Sequence, residues 1–363
     1  MRIALVHDWL TGMRGGERVL DVLCERYPDA ELFTLLHVPG SVSPAIERRP
    51  IHTSVLQHVP GARRYYRECL PLFPTLIEQF DLDRFDLVIS SSHCVAKSVL
   101  TPPHALHVCY CHTPMRYAWD QFSAYFGPDR IGAAGSHAMR RVMASLARWD
   151  RETSGRVDRY LTNSQHVASR IRRYYNREAT VVYPPVDTDF FHPDATRPER
   201  FALVVSALVP YKRLDLAIAG CRLARVPLKI VGGGPERAAL ERSAGADVEF
   251  LGRRSDEEVR DLYRRAAVTL LPGEEDFGIV PLEAQACGRP VVALGRGGAL
   301  ETVKPGETGA LVDDPSPEAF ADAIAAAVDR RFDSAAIRRH AEQFSRARFG
   351  DQMAALVAEP SAW

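Results

Sequence analysis

The apolar residues of the chain form short runs, and polar or glycine-rich turns and segments of helical spacing lie between them. Runs at 3–6, 268–271 and 290–294 have the length and composition of strands buried in a parallel sheet. In 18–27 the apolar positions recur every three or four residues, as on one face of an amphipathic helix. A chain that repeats strand, turn and helix in this order is expected to have an α/β fold.

Two series of such units are separated by Pro184 and Pro185. A double proline continues neither a helix nor a strand, so it is typical of a stiff hinge. We therefore predict one domain at 1–184, a second domain at 185–340 and a C-terminal helix at 341–363. The remaining predicted strands are 31–37, 86–90, 106–110, 201–206, 228–231, 248–251 and one that ends within 160–164, and the remaining helices are 137–160, 167–175, 318–328 and one that begins at Leu214.

The composition is that of a globular protein with room for two domains. The chain has 363 residues, of which 46% are hydrophobic and 25% charged, and its apolar runs are far shorter than the ~20 residues that cross a bilayer. His7 and Asp8 come too early for a signal peptide. The seven cysteines have no regular spacing, which favours a reducing compartment over a disulfide framework. We expect a cytoplasmic protein.

The formal charge is zero overall but differs between the two halves. Residues 1–180 contain 23 Lys and Arg against 18 Asp and Glu, and the remainder contains 23 against 28. This excess is too small to indicate nucleic acid first, but it suits an anionic acceptor or a membrane surface. Arg63, Arg64 and Tyr65 precede the apolar segment 70–74, so this region is expected either to contact an anionic membrane or to pack on its own domain.

The most informative stretch is 274–293, which reads EEDFGIVPLEAQACGRPVVA. It places a helix start at Gly278 between two acidic residues, Glu275 and Glu283. The free N–H groups of a helix start favour a phosphate, and the two carboxylates can accept hydrogen bonds from hydroxyls on either side of it. A sugar nucleotide has this layout. The alternative is that Glu283 only favours the helix dipole and Glu275 is a solvated loop residue.

Two further loops contain clustered glycines. Gly15 and Gly16 lie between the first strand and the first helix, where they form either a phosphate cradle or a tight turn. The glycines at 232–234 resemble a dinucleotide loop, but Pro235 and the missing third spaced glycine weaken that match. A Rossmann dehydrogenase would depend on this loop alone.

No metal site is expected. Cys109, Cys111 and His112 form a potential metal corner, but no second Cys/His pair at suitable spacing completes it. The Asp-x-Asp strings at 81–83 and 187–189 are interpreted as turn acids.

Candidate catalytic side chains follow the ends of predicted strands, where functional groups of open α/β sheets collect. His93 and His112 both occupy such positions. Lys212 does too, and it is one of four lysines in a chain with 42 arginines. A lysine at a strand–loop–helix corner indicates a site that requires a compact ammonium group.

The stretch 274–293 resembles the E-x7-E signature of the retaining glycosyltransferases of family 4, the glycosyl transferases group 1. The string CHTPMRYAWD at 111–120 resembles a bacterial O-antigen mannosyltransferase subgroup. The resemblance covers essentially the whole chain. It implies the α/β fold known as GT-B, with two doubly wound Rossmann-like domains facing across a cleft and a terminal helix, 341–363, that crosses back to the first domain.

The resemblance also implies roles for individual residues. Glu275 would hold the donor sugar, His112 would face it, and Lys212 would neutralise the leaving diphosphate. The family has an arginine five places before Lys212, where this chain has Ala207, and Arg213 would supply the missing charge. The donor-binding residues implied in all are Gly15, Gly16, Arg213, Gly233, Arg253, Phe277, Gly278, Ile279, Val280 and Glu283.

The implied activity is retaining, metal-independent transfer of a hexosyl group, with mannosyl from GDP-mannose favoured. The acceptor would be a lipid-linked glycan or a small molecule, in the assembly of a cell-surface polysaccharide or glycolipid at the inner face of the plasma membrane. No cofactor is expected besides the nucleotide-sugar substrate. The alternatives are a GT-B nucleotide-sugar 2-epimerase and a non-catalytic subunit that binds sugar nucleotides.

Overall fold

The chain folds into two compact units in a computed structural model that describes residues 1–358. One unit contains Met1–Pro185 together with the residues from Phe349 onward, and the other contains Val186–Arg348. The C-terminal helix predicted at 341–363 includes 359–363, which lie outside the described residues.

The first unit is built on a parallel sheet. Among the described residues its strands are β1 Ile3–His7, β2 Glu31–Thr34, β3 Ile51–Thr53, β4 Leu87–Ser92, β5 Leu106–Cys111, β6 Arg159–Thr162 and β7 Ala179–Val181. Their order in the sheet is β3-β2-β1-β4-β5-β6-β7, so the chain builds outward from β1 to one edge and then from β4 to the other. This is the order of a Rossmann-like sheet, in which the reversal between β1 and β4 opens a crevice at the carboxyl ends of the strands.

Helices cover both faces of this sheet. They are α1 Gly15–Arg26, α2 Pro44–Glu47, α3 Ala62–Tyr65, α4 Phe73–Ile77, α5 Arg116–Trp119, α6 Phe122–Phe126, α7 Pro128–Glu152 and α8 Gln165–Tyr175. Leu5 of β1 packs into one core and its neighbours Ala4 and Val6 pack into another, as expected for a strand buried on both sides. The predicted helix 137–160 begins earlier and ends earlier than expected, and it is kinked at Gly132, where φ is 75°.

The second unit repeats this plan with a second parallel sheet. Its described strands are β8 Glu199–Val205, β9 Leu228–Val231, β10 Val248–Gly252, β11 Ala266–Leu271, β12 Val291–Leu294 and β13 Gly309–Val312. The order is β10-β9-β8-β11-β12-β13, with the reversal between β8 and β11. The predicted fold class, two Rossmann-like domains with parallel sheets, is confirmed.

The helices of the second unit are α9 Leu214–Ala224, α10 Arg237–Ser243, α11 Asp256–Arg265, α12 Ile279–Ala286, α13 Ala299–Thr302, α14 Pro317–Asp329 and α15 Ser334–Ala341. The last described helix, α16, spans Arg346–Ala358, and its Phe349 and Met353 are buried in the core of the first unit. The C-terminal helix predicted to begin at 341 therefore begins later, at Arg346. Ser345 is extended and its hydroxyl accepts a hydrogen bond from the N–H of Arg348, which starts a new helix.

Three short strands were not predicted. β3 and β7 have three residues each and β13 has four, too few for an alternating pattern to be visible in the sequence. No helix within residues 1–358 combines the length and the apolar character needed to cross a membrane.

Candidate functional site

The candidate donor site lies at the carboxyl edge of the second sheet, between the paired strands β8 and β11, where the strand order reverses. Loops after these strands leave a crevice at such a reversal. The loop after β8 contains Lys212, and the loop after β11 contains Glu275 and leads directly into α12. The structure thus brings together residues that are 63 positions apart in the sequence.

Glycines allow the loops at this edge to pack backbone against backbone. A methyl group on Gly273 would lie 2.5 Å from the carbonyl oxygen of Tyr211, and one on Gly298 would lie 2.2 Å from Cα of Phe277. Gly297 has a φ of 59°, and the N–H of Gly298 donates to the carbonyl oxygen of Glu275 at 2.8 Å. Only glycine permits these approaches, so the loops hold one another in place.

Lys212 and Glu275 form an ion pair within the second unit. Their side chains are 17% and 15% exposed, so the pair is partly shielded from water but reachable from outside. The ammonium also lies 5.2 Å from the centre of the Tyr211 ring. A phosphate in this position would compete with the carboxylate of Glu275 for the same ammonium group.

The start of α12 lies next to this pair along the chain. Gly278 precedes the helix with a φ of 86° and a ψ of 82°, a left-handed conformation that turns the chain into the helix. The first N–H groups of a helix have no partner inside it, so those of Ile279 and Val280 suit an anionic ligand. Phe277 is buried, and its ring centre lies 6.0 Å from that of Phe344.

Glu283 lies inside the domain, in the second half of α12. It is only 6% exposed, and its carboxylate accepts a hydrogen bond from the hydroxyl of Tyr263 at 3.0 Å. Tyr263 lies on α11 and is fully buried. Sequence reasoning missed this tyrosine, because nothing in a helical pattern shows that one of its buried rings holds a carboxylate.

The other predicted donor residues of the second unit lie in neighbouring loops. A methyl group on Gly233 would lie 3.8 Å from Nε of Arg253, so the glycine loop and this arginine are adjacent. Arg213 has a φ of 52°, and its guanidinium binds Asp215 at 3.1 Å. Ala207 is exposed in the loop after β8. The charge expected from Arg213 is therefore shared with an acidic neighbour.

The first unit has its own polar cluster, at the reversal between β1 and β4. His7 ends β1 and is paired with Ser91 of β4. The hydroxyl of Ser91 lies 3.2 Å from Nδ1 of His7 and 2.8 Å from Nε2 of His112. A methyl group on Gly16 would lie 3.4 Å from the ring of His7 and 3.6 Å from Nε2 of His112, while Gly15 faces open space. The predicted residues Gly16 and His112 are thus neighbours.

A histidine–aspartate pair lies beside this cluster. Nδ1 of His93 lies 3.0 Å from a carboxylate oxygen of the buried Asp8, which also accepts four backbone N–H groups from residues 93–96. Burial opposes ionisation of Asp8, but the adjacent His93 holds the pKa of this carboxyl well below its usual range. Burial likewise disfavours the charged form of His93, but Asp8 outweighs it and raises the pKa of the imidazole.

His112 remains neutral at physiological pH. Burial, followed by the nearby His93 and His7, lowers its pKa to about 3. Sequence reasoning found His112 but missed His7, Asp8 and Ser91 as its surroundings. The signal was available, because all of them lie at the carboxyl ends of predicted strands. Within the described part of the chain, no three His, Cys, Asp or Glu side chains are grouped so as to hold a metal ion.

Sequence comparison matches each unit to a family of known proteins. Residues 13–190 match the family described as Glycosyltransferase Family 4, and residues 186–346 match the family described as Glycosyl transferases group 1. Together the two matches extend over residues 13–346.

Curated relatives include two mycobacterial proteins. The chain is 34% identical over 229 residues to the D-inositol 3-phosphate glycosyltransferase of Mycolicibacterium smegmatis, which covers 55% of this chain and 52% of the relative. It is 34% identical over 221 residues to the protein of the same name from Mycobacterium tuberculosis strain H37Ra, covering 52% and 46%. The chain thus spans about half the length of the curated relatives that it matches.

Solved structures share the fold over nearly the whole chain. Alr3699/HepE from Anabaena, in complex with UDP, superposes with a TM-score of 0.70 at 17% identity and covers 99% of this chain and 100% of that protein. The lipopolysaccharide outer core galactosyltransferase WaaB superposes with a TM-score of 0.65 at 17% identity, covering 98% of each chain. At this identity the likeness establishes the fold.

Proposed function

The chain carries a Glycosyltransferase Family 4 domain followed by a Glycosyl transferases group 1 domain, and on this premise we propose that it transfers a hexosyl group from a nucleotide-diphosphate sugar to an acceptor hydroxyl. One observation carries the proposal. The ion pair of Lys212 and Glu275 lies at the carboxyl edge of the second sheet, in loops adjoining the start of α12. A cation and a helix N-terminus next to an acidic side chain suit a diphosphate that is attached to a sugar.

The proposed chemistry is mainly electrostatic. When the bond from the anomeric carbon to the diphosphate oxygen lengthens, negative charge grows on the diphosphate. The ammonium of Lys212 and the first N–H groups of α12, at Ile279 and Val280, oppose that charge in fixed positions. Within the first domain, the lack of a side chain at Gly16 leaves room beside His112.

The two glutamates would hold the sugar and the ribose. With the ammonium of Lys212 engaged by the diphosphate, the carboxylate of Glu275 becomes available to accept hydrogen bonds from donor-sugar hydroxyls. The ribose would join the hydrogen bond between Tyr263 and Glu283. We propose front-side attack by the acceptor with retention at the anomeric carbon, with Glu275 and Glu283 assigned to binding the sugar and the ribose rather than to nucleophilic attack.

The proposal extends to the identity of the donor and of the acceptor. The resemblance of 111–120 to the mannosyltransferase subgroup supports GDP-mannose. The Anabaena neighbour is in complex with UDP and, in another structure, with UDP-glucose, which supports a uridine nucleotide instead. The names of the mycobacterial relatives support a phosphorylated polyol as a small-molecule acceptor, beside the lipid-linked glycan expected from the sequence.

Membrane contact would involve the segment after β3. Tyr65 and Leu72 are 50% and 59% exposed, and Arg63 and Arg64 next to them are exposed as well. Leu70, in contrast, is buried in the core of the first unit, as expected if this part of the segment packs on its own domain. Basic groups beside exposed apolar side chains suit an anionic bilayer. Flotation with vesicles of phosphatidylglycerol against phosphatidylcholine tests this, and equal binding to both would contradict it.

The decisive experiment is a thermal-shift screen with GDP, UDP, GDP-mannose and UDP-glucose, followed by a transfer assay with the stabilising donor. The acceptors are D-inositol 3-phosphate and a polyprenyl-diphosphate-linked sugar, and nuclear magnetic resonance identifies the anomer formed. We expect stabilisation by one base and an α-linked product from an α-linked donor. Sugar isomerisation without an acceptor would indicate an epimerase, and tight binding without turnover would indicate a binding subunit.

A further inference from the structure

The cluster around His112 contains a hydrogen-bonded chain whose direction follows from its members. The hydrogen bonds run from His7 through Ser91 to His112, and the carboxylate of Glu17 on α1 lies beside the other nitrogen of the His7 ring. Ser91 has one hydroxyl proton, so it donates to one imidazole and accepts from the other. For imidazoles in the neutral form, each of the two directions corresponds to a different tautomer of each ring.

Glu17 determines the direction. Its carboxylate lies 3.8 Å from Nε2 of His7, a fully buried nitrogen that has no hydrogen bond within residues 1–358. Burial favours the neutral form of Glu17, yet the adjacent His7 lowers the pKa of this carboxyl, which is therefore ionised at neutral pH. A negative charge attracts an N–H group and repels a bare nitrogen lone pair, so neutral His7 carries its proton on Nε2.

The directions of the other two hydrogen bonds follow from this assignment. Nδ1 of His7 is then an acceptor, so the hydroxyl of Ser91 donates to it at 3.2 Å. Because the only proton of Ser91 is used, its oxygen must accept from Nε2–H of His112 at 2.8 Å. We propose that Glu17, His7 and Ser91 act as positioning residues that hold His112 in the Nε2–H tautomer, with Nδ1 as a bare hydrogen-bond acceptor.

This tautomer restricts what His112 can bind. A bare imidazole nitrogen accepts a hydrogen bond from a hydroxyl, but it repels phosphate oxygens and carboxylates, which have no proton to give. His112 therefore selects a hydroxyl group over a phosphate or a carboxylate. This role depends on the proposed glycosyltransferase function, whereas the tautomer itself does not.

Two histidines elsewhere in the protein serve as internal references. Nδ1 of His107 lies 3.0 Å from the carbonyl oxygen of Arg156, so it must carry the proton, and Ser90 donates to its Nε2 at 2.9 Å. Nε2 of His340 lies 3.1 Å from the carbonyl oxygen of Thr302, so that nitrogen carries the proton. Burial lowers the pKa of both rings, to about 4 for His107, so both are neutral and have defined tautomers.

The experiment is ¹⁵N nuclear magnetic resonance of the full chain with labelled histidine rings at pH 8 and without substrate. A cationic His7 would donate from both nitrogens and reverse the direction of the hydrogen bonds, so the ring nitrogens of His7 are recorded in the same spectrum. The charged groups around these rings are Asp8, His93, Glu17 and Arg14. We expect the ¹⁵N shifts of His112 to match those of His340, in which Nε2 carries the proton. Shifts that match those of His107, in which Nδ1 carries the proton, would overturn the proposal.

Two variants and a matched control test the individual contacts that orient His112. Ser91→Ala disconnects the rings, and Glu17→Gln replaces the carboxylate by an amide that both donates and accepts, so each should give His112 mixed tautomers. Ser90→Ala removes the equivalent bond to His107 on the same strand and should leave His112 unchanged. An unaltered His112 in both Ser91→Ala and Glu17→Gln would contradict the proposal.

The transfer assay separates this inference from the function on which it depends. Ser91→Ala should lower kcat by about 10- to 100-fold, the usual effect of removing a group that orients a functional histidine, whereas Ser90→Ala should not. If the tautomer is as proposed and the wild-type protein transfers no sugar, the proposed function fails and the chain of hydrogen bonds stands. If transfer occurs but His112 has the other tautomer, the chain of hydrogen bonds fails alone.

Discussion

Replacing Lys212 by methionine tests the proposed stabilisation of the diphosphate. The variant keeps an apolar stem of similar length and removes only the ammonium, which pairs with Glu275 in a partly shielded site. One preorganised group that stabilises developing negative charge is worth about 10²–10³ in kcat, or roughly 2.7–4 kcal/mol. Because the first N–H groups of α12 share the task, we predict the lower end, a fall on the order of 10².

The division between kcat and KM is part of the prediction. The diphosphate is already charged in the bound donor and gains charge as the sugar leaves, so Lys212 stabilises the transition state more than the ground state. The larger part of the loss should therefore appear in kcat. The assay is steady-state transfer with the donor found in the thermal-shift screen, together with thermal unfolding of each variant.

A matched control is available on a neighbouring strand of the same domain. Lys229 on β9 pairs with Glu249 at 3.3 Å and is 25% exposed, so Lys229→Met removes a comparable surface pair. This control should transfer at nearly the wild-type rate. A double variant, Lys212→Met with Glu275→Gln, should lose less than the product of the single losses, because the two residues act as a unit. Near-normal turnover by Lys212→Met, or a loss confined to KM, would refute the reasoning.

Three further predictions concern the packing and the buried charges. A methyl group on Gly298 would lie 2.2 Å from the backbone of the loop before α12, so Gly298→Ala should lower both Tm and donor binding, whereas Gly155→Ala, with open space around it, should change neither. Lys97→Met leaves the fully buried Asp150 without its counter-ion, and urea unfolding should show a loss of about 3–5 kcal/mol; an unchanged midpoint would contradict this. Burial lowers the pKa of His107 to about 4. The unfolded chain therefore takes up a proton below pH ~6.5 that the folded chain does not, and urea midpoints should fall as the pH drops from about 6.5 towards 4. The urea midpoint of His107→Asn should decrease less steeply with falling pH than that of the wild type. An equally steep decrease would show that His107 does not cause it.

The sequence predicts the fold well because both sheets consist of strands buried on two sides. The predicted strands 86–90 and 201–206 contain the continuous apolar runs 87–89 and 201–205, and each is recovered as a central strand. Edge strands such as β3 and β13 are short and only partly buried, so their composition does not distinguish them from loops.

Only part of the candidate site could be predicted from the sequence. Lys212 was found because it follows a strand and Glu275 because it precedes a helix start, but their ion pair depends on glycine contacts between loops that are distant in the sequence. The hydrogen bond from Tyr263 to Glu283 joins two helices, and no local pattern indicates it. Ser91 resembles any polar residue at a strand end until the structure places it between two imidazoles.

The central claim is that a diphosphate binds at the start of α12 with Lys212 as its cation. The most direct measurement is a crystal structure of the protein soaked with UDP or GDP, whichever stabilises it. We predict diphosphate density within hydrogen-bond distance of the N–H groups of Ile279 and Val280 and of the ammonium of Lys212. Density at the glycine loop 232–234 without contact to α12, or elsewhere on the chain, would contradict the account.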